Sequence, residues 1–191
     1  MCLLVNPRAL QFFSLVKGVS LILALPLYAT PSTGQIYLVS FTDVDGHTFS
    51  TSDGHVTVVV LTTTADSEKA RTVGDRVPDY CLGNPDYRMV TVLNFKSKHT
   101  SIGHMLATML VRHRLNQEAK RLQARYNAQN IARDARHDVF AVTDFDGTVS
   151  SQLGAQMDSA SFRVLVFGRK GELLQQWNDV PSAADLAAVV K

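Results

Sequence analysis

The sequence predicts an α/β protein built on a mixed sheet with helices on both faces. Three observations predict it. Val56 to Leu61 reads V-T-V-V-V-L, a β-branched run that suits a strand buried on both sides. Helical stretches then alternate with further apolar runs, as parallel β-α-β units require. The chain closes on two apolar runs joined by a tight turn at Lys170-Gly171 and followed by a last helix.

Tyr37 to Phe41 and Thr48 to Ser50 are β-prone runs flanking Asp45-Gly46, a hairpin signal. After the buried strand, Thr62, Thr63 and Thr64 lead into a helix expected from about Ala65 to Leu82. Asp66 and Glu68 lie where the helix dipole favours acids, Pro78 is expected to kink the last turn, and Gly83 to cap it. Met89 to Phe95 is the next strand. An enlarged helical segment occupies about 98–136, with the helix running from about Ile102 to Arg136 and a break expected between Asn127 and Asn130. Val111, Leu115, Ala119, Leu122 and Tyr126 form one apolar face of it. Val139 to Val142 is a third strand ended by Asp146-Gly147, and Thr148 to Leu153 a short helix. Phe162 to Phe167 and Glu172 to Trp177 form an antiparallel hairpin. Ser182 caps the final helix, with Asp185 in the capping-box region and Leu186, Val189 and Val190 facing the core.

With 191 residues, 46% hydrophobic and 19% charged, the chain suits one globular domain and excludes disorder. A net charge of +2 does not by itself call for nucleic acid or a membrane surface. The N-terminus differs from the rest. Arg8 and Lys17 are the only charges before Asp43, and Gly18 to Ala29 is almost wholly apolar. A basic start, a short apolar run and a small residue at its end predict a cleaved signal peptide over 1–29. The domain then occupies 30–191 and is exported, periplasmic or secreted. The alternative is a membrane anchor at 18–29, shorter than the ~20 residues a span needs. Cys2 precedes the apolar run, so there is no lipoprotein pattern, and cleavage would leave Cys81 as the one cysteine, unable to form an internal disulfide.

Two stretches carry a resemblance. Phe41-Thr42-Asp43-Val44-Asp45-Gly46-His47-Thr48-Phe49-Ser50, followed by the buried strand, and Phe162-Arg163-Val164-Leu165-Val166-Phe167-Gly168-Arg169-Lys170-Gly171 near the other end are similar to the thioredoxin-like superfamily. The resemblance is in particular to its exported thiol–disulfide oxidoreductase and peroxiredoxin-like (redoxin) branches. The similarity covers roughly residues 37 to 191 and implies a thioredoxin-like fold. It also implies a C-x-x-C pair where the first buried strand enters the first helix, whose N-terminus would lower the thiol pKa. That turn here reads Thr63-Thr64-Ala65-Asp66-Ser67-Glu68-Lys69-Ala70, with Asp66 and Lys69 near the two cysteine positions. A cis-proline before the fourth strand is implied too. The residues there are Ser159, Ala160, Ser161 and Phe162, and no proline lies between Pro85 and Pro181.

Candidate site residues therefore carry two readings each. Cys81, near the end of the first helix, is either a small buried hydrophobe or a single-cysteine nucleophile disfavoured by the negative helix end. Asp66 and Lys69 are either ligand-binding charges or a helix-start acid and a solvated lysine. Val142-Thr143-Asp144-Phe145-Asp146-Gly147-Thr148-Val149 resembles the first motif of haloacid-dehalogenase-like phosphohydrolases, which implies Asp144 as nucleophile, Asp146 as acid and Mg²⁺ as counter-charge. Against it, only 149–191 remain to supply the downstream motifs, and Asp43-Val44-Asp45-Gly46 uses the same pattern as a turn. The six histidines have no metal spacing. From Arg112 to Arg136 there are seven Lys or Arg and two acids, either a solvated face or a surface for an anionic partner, without the aromatics that nucleic acid would want.

The leading expectation is an exported, non-catalytic thioredoxin-like module that binds another protein or a small ligand. It has no cofactor and no metal, and meets a membrane only through an uncleaved leader. The alternatives are a divergent redoxin using Cys81 and a Mg-dependent phosphohydrolase using Asp144 and Asp146.

Overall fold

A computed structural model describes residues 31–95, 100–155 and 162–191. The predicted leader, the 18–29 anchor, Cys2, His99 and Ser159 to Ser161 lie outside the described residues. No helix among those described is long and apolar enough to cross a membrane.

The elements appear in the order read from the sequence. β1 (Ser40–Thr42) and β2 (Thr48–Ser50) make a hairpin. Asp43 closes its turn, accepting the Asp45 and His47 amides at 2.9 and 2.8 Å. β3 (Val56–Thr62) then enters the main sheet, followed by α1 (Ser67–Arg76), β4 (Tyr87–Asn94), α2 (Ser101–Ala128), β5 (Phe140–Asp144) and α3 (Thr148–Gln152). β6 (Arg163–Phe167), β7 (Leu173–Trp177) and α4 (Ala183–Val189) complete the chain. The sheet order is β5-β4-β3-β6-β7, with β3, β4 and β5 parallel and β6 and β7 antiparallel to their neighbours. This is the mixed sheet that the alternation of elements predicts.

Alternate residues of the central strands fall on two faces. Val59, Leu61, Val90, Val92 and Leu165 pack under the β1-β2 hairpin and α3. On the other face, Val58, Val60, Val164 and Val166 meet α1 and α4, while Leu93 and Ala141 meet Val111 and Leu115 of α2.

Two helices are shorter than expected. The expected helix over 65–82 ends at Arg76, because the residue before Pro78 is pushed out of helical geometry: Val77 has ψ 128°. Pro78 thus terminates α1 rather than kinking it, and Asp79–Cys81 form a separate 3-10 turn. The expected helix to Arg136 stops at Ala128, inside the predicted break, where Asn130 takes a left-handed φ of 57°. A second 3-10 turn, Ala135–Asp138, precedes β5. α4 begins as read, with Ser182 accepting the Asp185 amide at 3.1 Å.

Candidate functional site

The turn from β3 into α1 is built without sulfur. Asp66 stands at the N-cap of α1 without a side-chain cap hydrogen bond, so it acts on the helix through charge. The Thr63 hydroxyl donates to its carboxylate at 3.3 Å. Lys69, one turn on, puts Nζ 3.2 Å from Asp179 and 5.5 Å from the centre of the Phe162 ring. Phe162, just before β6, is buried beneath that ammonium. The Val180 amide and the Lys69 ammonium hold the Asp179 carboxyl below its ordinary value.

Cys81, the one free cysteine among the described residues, lies in the turn after α1 and is buried. Burial pushes its thiol up to about 11, which leaves little thiolate at neutral pH. The expected direction holds, but the cause is desolvation, since the thiol has left the helix whose negative end was to act on it.

Cys81 borders a cavity of about 640 Å³ between α1, α2 and the sheet. Its floor includes Val58, Met89 and Leu93, and its walls Gly74 of α1 and Leu115 and Leu122 of α2. Two polar contacts set the helix spacing. Arg71 of α1 bridges Glu118 of α2, Nη2 to Oε1 at 2.8 Å. Arg125 of α2 donates to the Gly74 and Val77 carbonyls at 3.1 and 3.2 Å and to Asp79 at 3.1 Å. These pairings make the two helices run side by side in the same direction. Tyr126, 1% exposed, fixes that end, donating to Asp138 at 2.8 Å and accepting the Gly83 amide at 2.9 Å. Burial and the Asp138 carboxylate push the Tyr126 phenol up to about 12.

Toward its start α2 is different. Ile102, Met105, Leu106, Met109 and Leu110 are 53–68% exposed and follow one another at helical spacing. Sequence reading picks out the buried face from Val111 to Tyr126 and misses both this second stripe and the cavity. The stripe was readable as a 3–4 spacing displaced from the buried one. The cavity was not, because it depends on how far α2 stands from the sheet.

Asp144 and Asp146 come together at the end of β5. Asp144 is buried, accepting the Ser150 amide at 2.7 Å, the Val149 amide at 3.3 Å and the Ser150 hydroxyl. Asp146 accepts the Thr148 amide at 3.0 Å, which together with the Thr148 hydroxyl holds its carboxyl below the ordinary value. Both carboxylates thus serve the turn, through Gly147 at φ 73°, into α3. Asp43 organises the first hairpin in the same manner.

Most of the basic stretch is engaged within the fold. Arg112 and Arg136 meet Asp45, Arg121 approaches Glu118, Arg125 meets Asp79 and Arg133 meets Asp138. Arg114 and Lys120 have no ion pair among the described residues. No group of three or more His, Cys, Asp or Glu among those residues is placed to hold a metal ion.

Solved structures share this architecture. A thiol:disulfide interchange protein of the thioredoxin family from Chlorobium tepidum superposes with a TM-score of 0.51 at 12% identity, over 85% of this chain and 97% of that one. The chain carries the thioredoxin-like fold. An exposed lipoprotein thioredoxin from Streptococcus pneumoniae gives a TM-score of 0.51 at 12% identity, over 80% of this chain and 97% of that chain. No family model and no curated protein matches the sequence. Within this thioredoxin-like fold, the strand-to-helix turn expected to carry C-x-x-C carries Thr64, Asp66 and Lys69.

Proposed function

We propose that this protein is an exported thioredoxin-like binding module that works without dithiol exchange. The observation that carries the reading is the pair of changes around α1. Its start presents Asp66 and a Lys69 engaged with Asp179, while the nearest thiol, Cys81, is buried and held protonated. A thiol that ionises near 11 is a poor nucleophile at neutral pH, which argues equally against a single-cysteine redoxin. The cavity beside Cys81 offers a place for a ligand instead. The phosphohydrolase reading is not favoured, since both carboxylates are occupied by backbone amides.

Insulin reduction in the presence of dithiothreitol tests the redox half. The expected rate equals that of dithiothreitol alone and is unchanged by Cys81→Ser. A rate well above it that disappears in Cys81→Ser overturns the reading. Export is supported by the leader-like sequence of 1–29. N-terminal sequencing of protein recovered outside the cytoplasm is expected to start near Thr30.

A further inference from the structure

We propose that the cavity between α1, α2 and the sheet binds a single-chain amphiphile, an apolar body with one anionic head, and that Arg114 meets the head at the cavity mouth. This rests on the binding reading above and names its ligand class.

The shape comes first. The lining follows α2 from Ala107 and Leu110 at the mouth through Arg114 to Tyr126. The twelve helical steps from Arg114 to Tyr126 make a slot roughly 18 Å long at 1.5 Å per step. Its volume of about 640 Å³ lies within the range of small-ligand sites, roughly 300–1,000 Å³. Met89, Leu93, Leu115 and Leu122 give it an apolar interior, so the body that fills it must be apolar and elongated.

Charge sets the polarity. Glu68, Arg71, Glu118 and Arg121 at the rim neutralise one another, and Arg125 is held by Asp79. Two rim charges have no ion pair among the described residues. Arg114 lies one turn before Glu118 and so level with the start of α1. Asp75 lies at the other end, seven residues beyond Glu68 on α1 and so about 10 Å along it. The slot is therefore positive at the Arg114 end and negative at the Asp75 end. An anionic head is drawn to the first and repelled by the second. Leu110, one turn before Arg114, belongs both to the mouth and to the exposed stripe, which gives an apolar chain a continuous path inward.

Cys81 reports occupancy, because it borders the slot. In the full chain carrying Cys2→Ser, alkylation of Cys81 by N-ethylmaleimide is followed with decanoate, decanol or decyltrimethylammonium added. Saturable protection by decanoate, weaker protection by decanol and none by the cation are expected. Arg114→Gln is expected to weaken decanoate about tenfold, the effect of losing one charged hydrogen bond, and to leave decanol unchanged. Ala107→Trp, which fills the mouth, should abolish protection. If it fails to fold, the exposed Arg114→Gln still decides. Absence of saturable protection overturns the proposal, as does equal protection by the cation. Protection by phosphatidylglycerol vesicles but not by decanoate also overturns it and makes the stripe on α2 a membrane surface. Insulin turnover is read separately. A negative insulin assay with no decanoate binding leaves the binding module standing and removes only this ligand class.

Discussion

At Asp144, one carboxylate closes three hydrogen bonds inside the fold, to two amides and a hydroxyl of α3. Asp144→Asn puts an amide donor against those donors and should lower stability by about 2 kcal/mol, measured by urea unfolding. Cys81 yields a pH signature. Its folded value of about 11 lies above the ordinary 9, so the protonated thiol is the form the fold favours. That contribution is complete below the unfolded pKa and is lost as pH rises through the folded one. The native alkylation rate by iodoacetamide should therefore rise with a midpoint near 11, falling to about 9 in urea. The missing C-x-x-C was legible residue by residue, since an absent sulfur needs no coordinates. The roles of Asp144 and Asp146 were only half legible. D-x-D-G-T announces a strand, a turn and a helix, but whether its carboxylates face solvent or amides is a matter of depth in the sheet.

Among the elements, strands were easiest to read. β3 is continuous in β-branched residues because both of its faces are covered, and every strand appeared within a few residues of its expected place. Helix ends were harder. Pro78 marked the end of α1, but the difference between a kink and a stop lies in Val77, whose extended backbone the sequence does not display. The last turns of α2 are held where Tyr126 joins Asp138 and Gly83. Tyr126→Phe leaves the Gly83 amide without its partner and Asp138 with Arg133 alone, and should cost about 1–3 kcal/mol in thermal or urea unfolding.

Across the whole molecule, the β1-β2 hairpin is tied to the sheet through Asp53 and Arg88, whose Nη2 lies 2.8 Å from the carboxylate. Arg88 also donates to the Ser50 carbonyl at 2.8 Å and covers the Phe49 ring at 4.6 Å. Partial burial alone would raise the Asp53 carboxyl, but Arg88, His55 and the Ser50 amide together hold it well below the usual carboxylate range. A depressed folded value means stability that is present above the unfolded pKa of about 4 and lost as pH falls below it. Urea midpoints should drop from pH 5 toward pH 2, and Asp53→Asn should flatten that limb while costing about 1–2 kcal/mol at neutral pH. The mixed character of the sheet followed from the order of elements. The gap beneath α2 did not, because its size is set by the reach of Arg71, Glu118 and Arg125 across space.

That gap has a mechanical consequence. With Arg125 and Tyr126 pinned at one extremity and an exposed apolar stripe toward the other, α2 should act as a cantilever, stiffest at its root. Amide hydrogens near Ala119 to Tyr126 should exchange with deuterium most slowly, and those near Met105 to Leu110 fastest, as a smooth gradient along one helix. Flexure of the tip would widen the entrance while every strand stays paired.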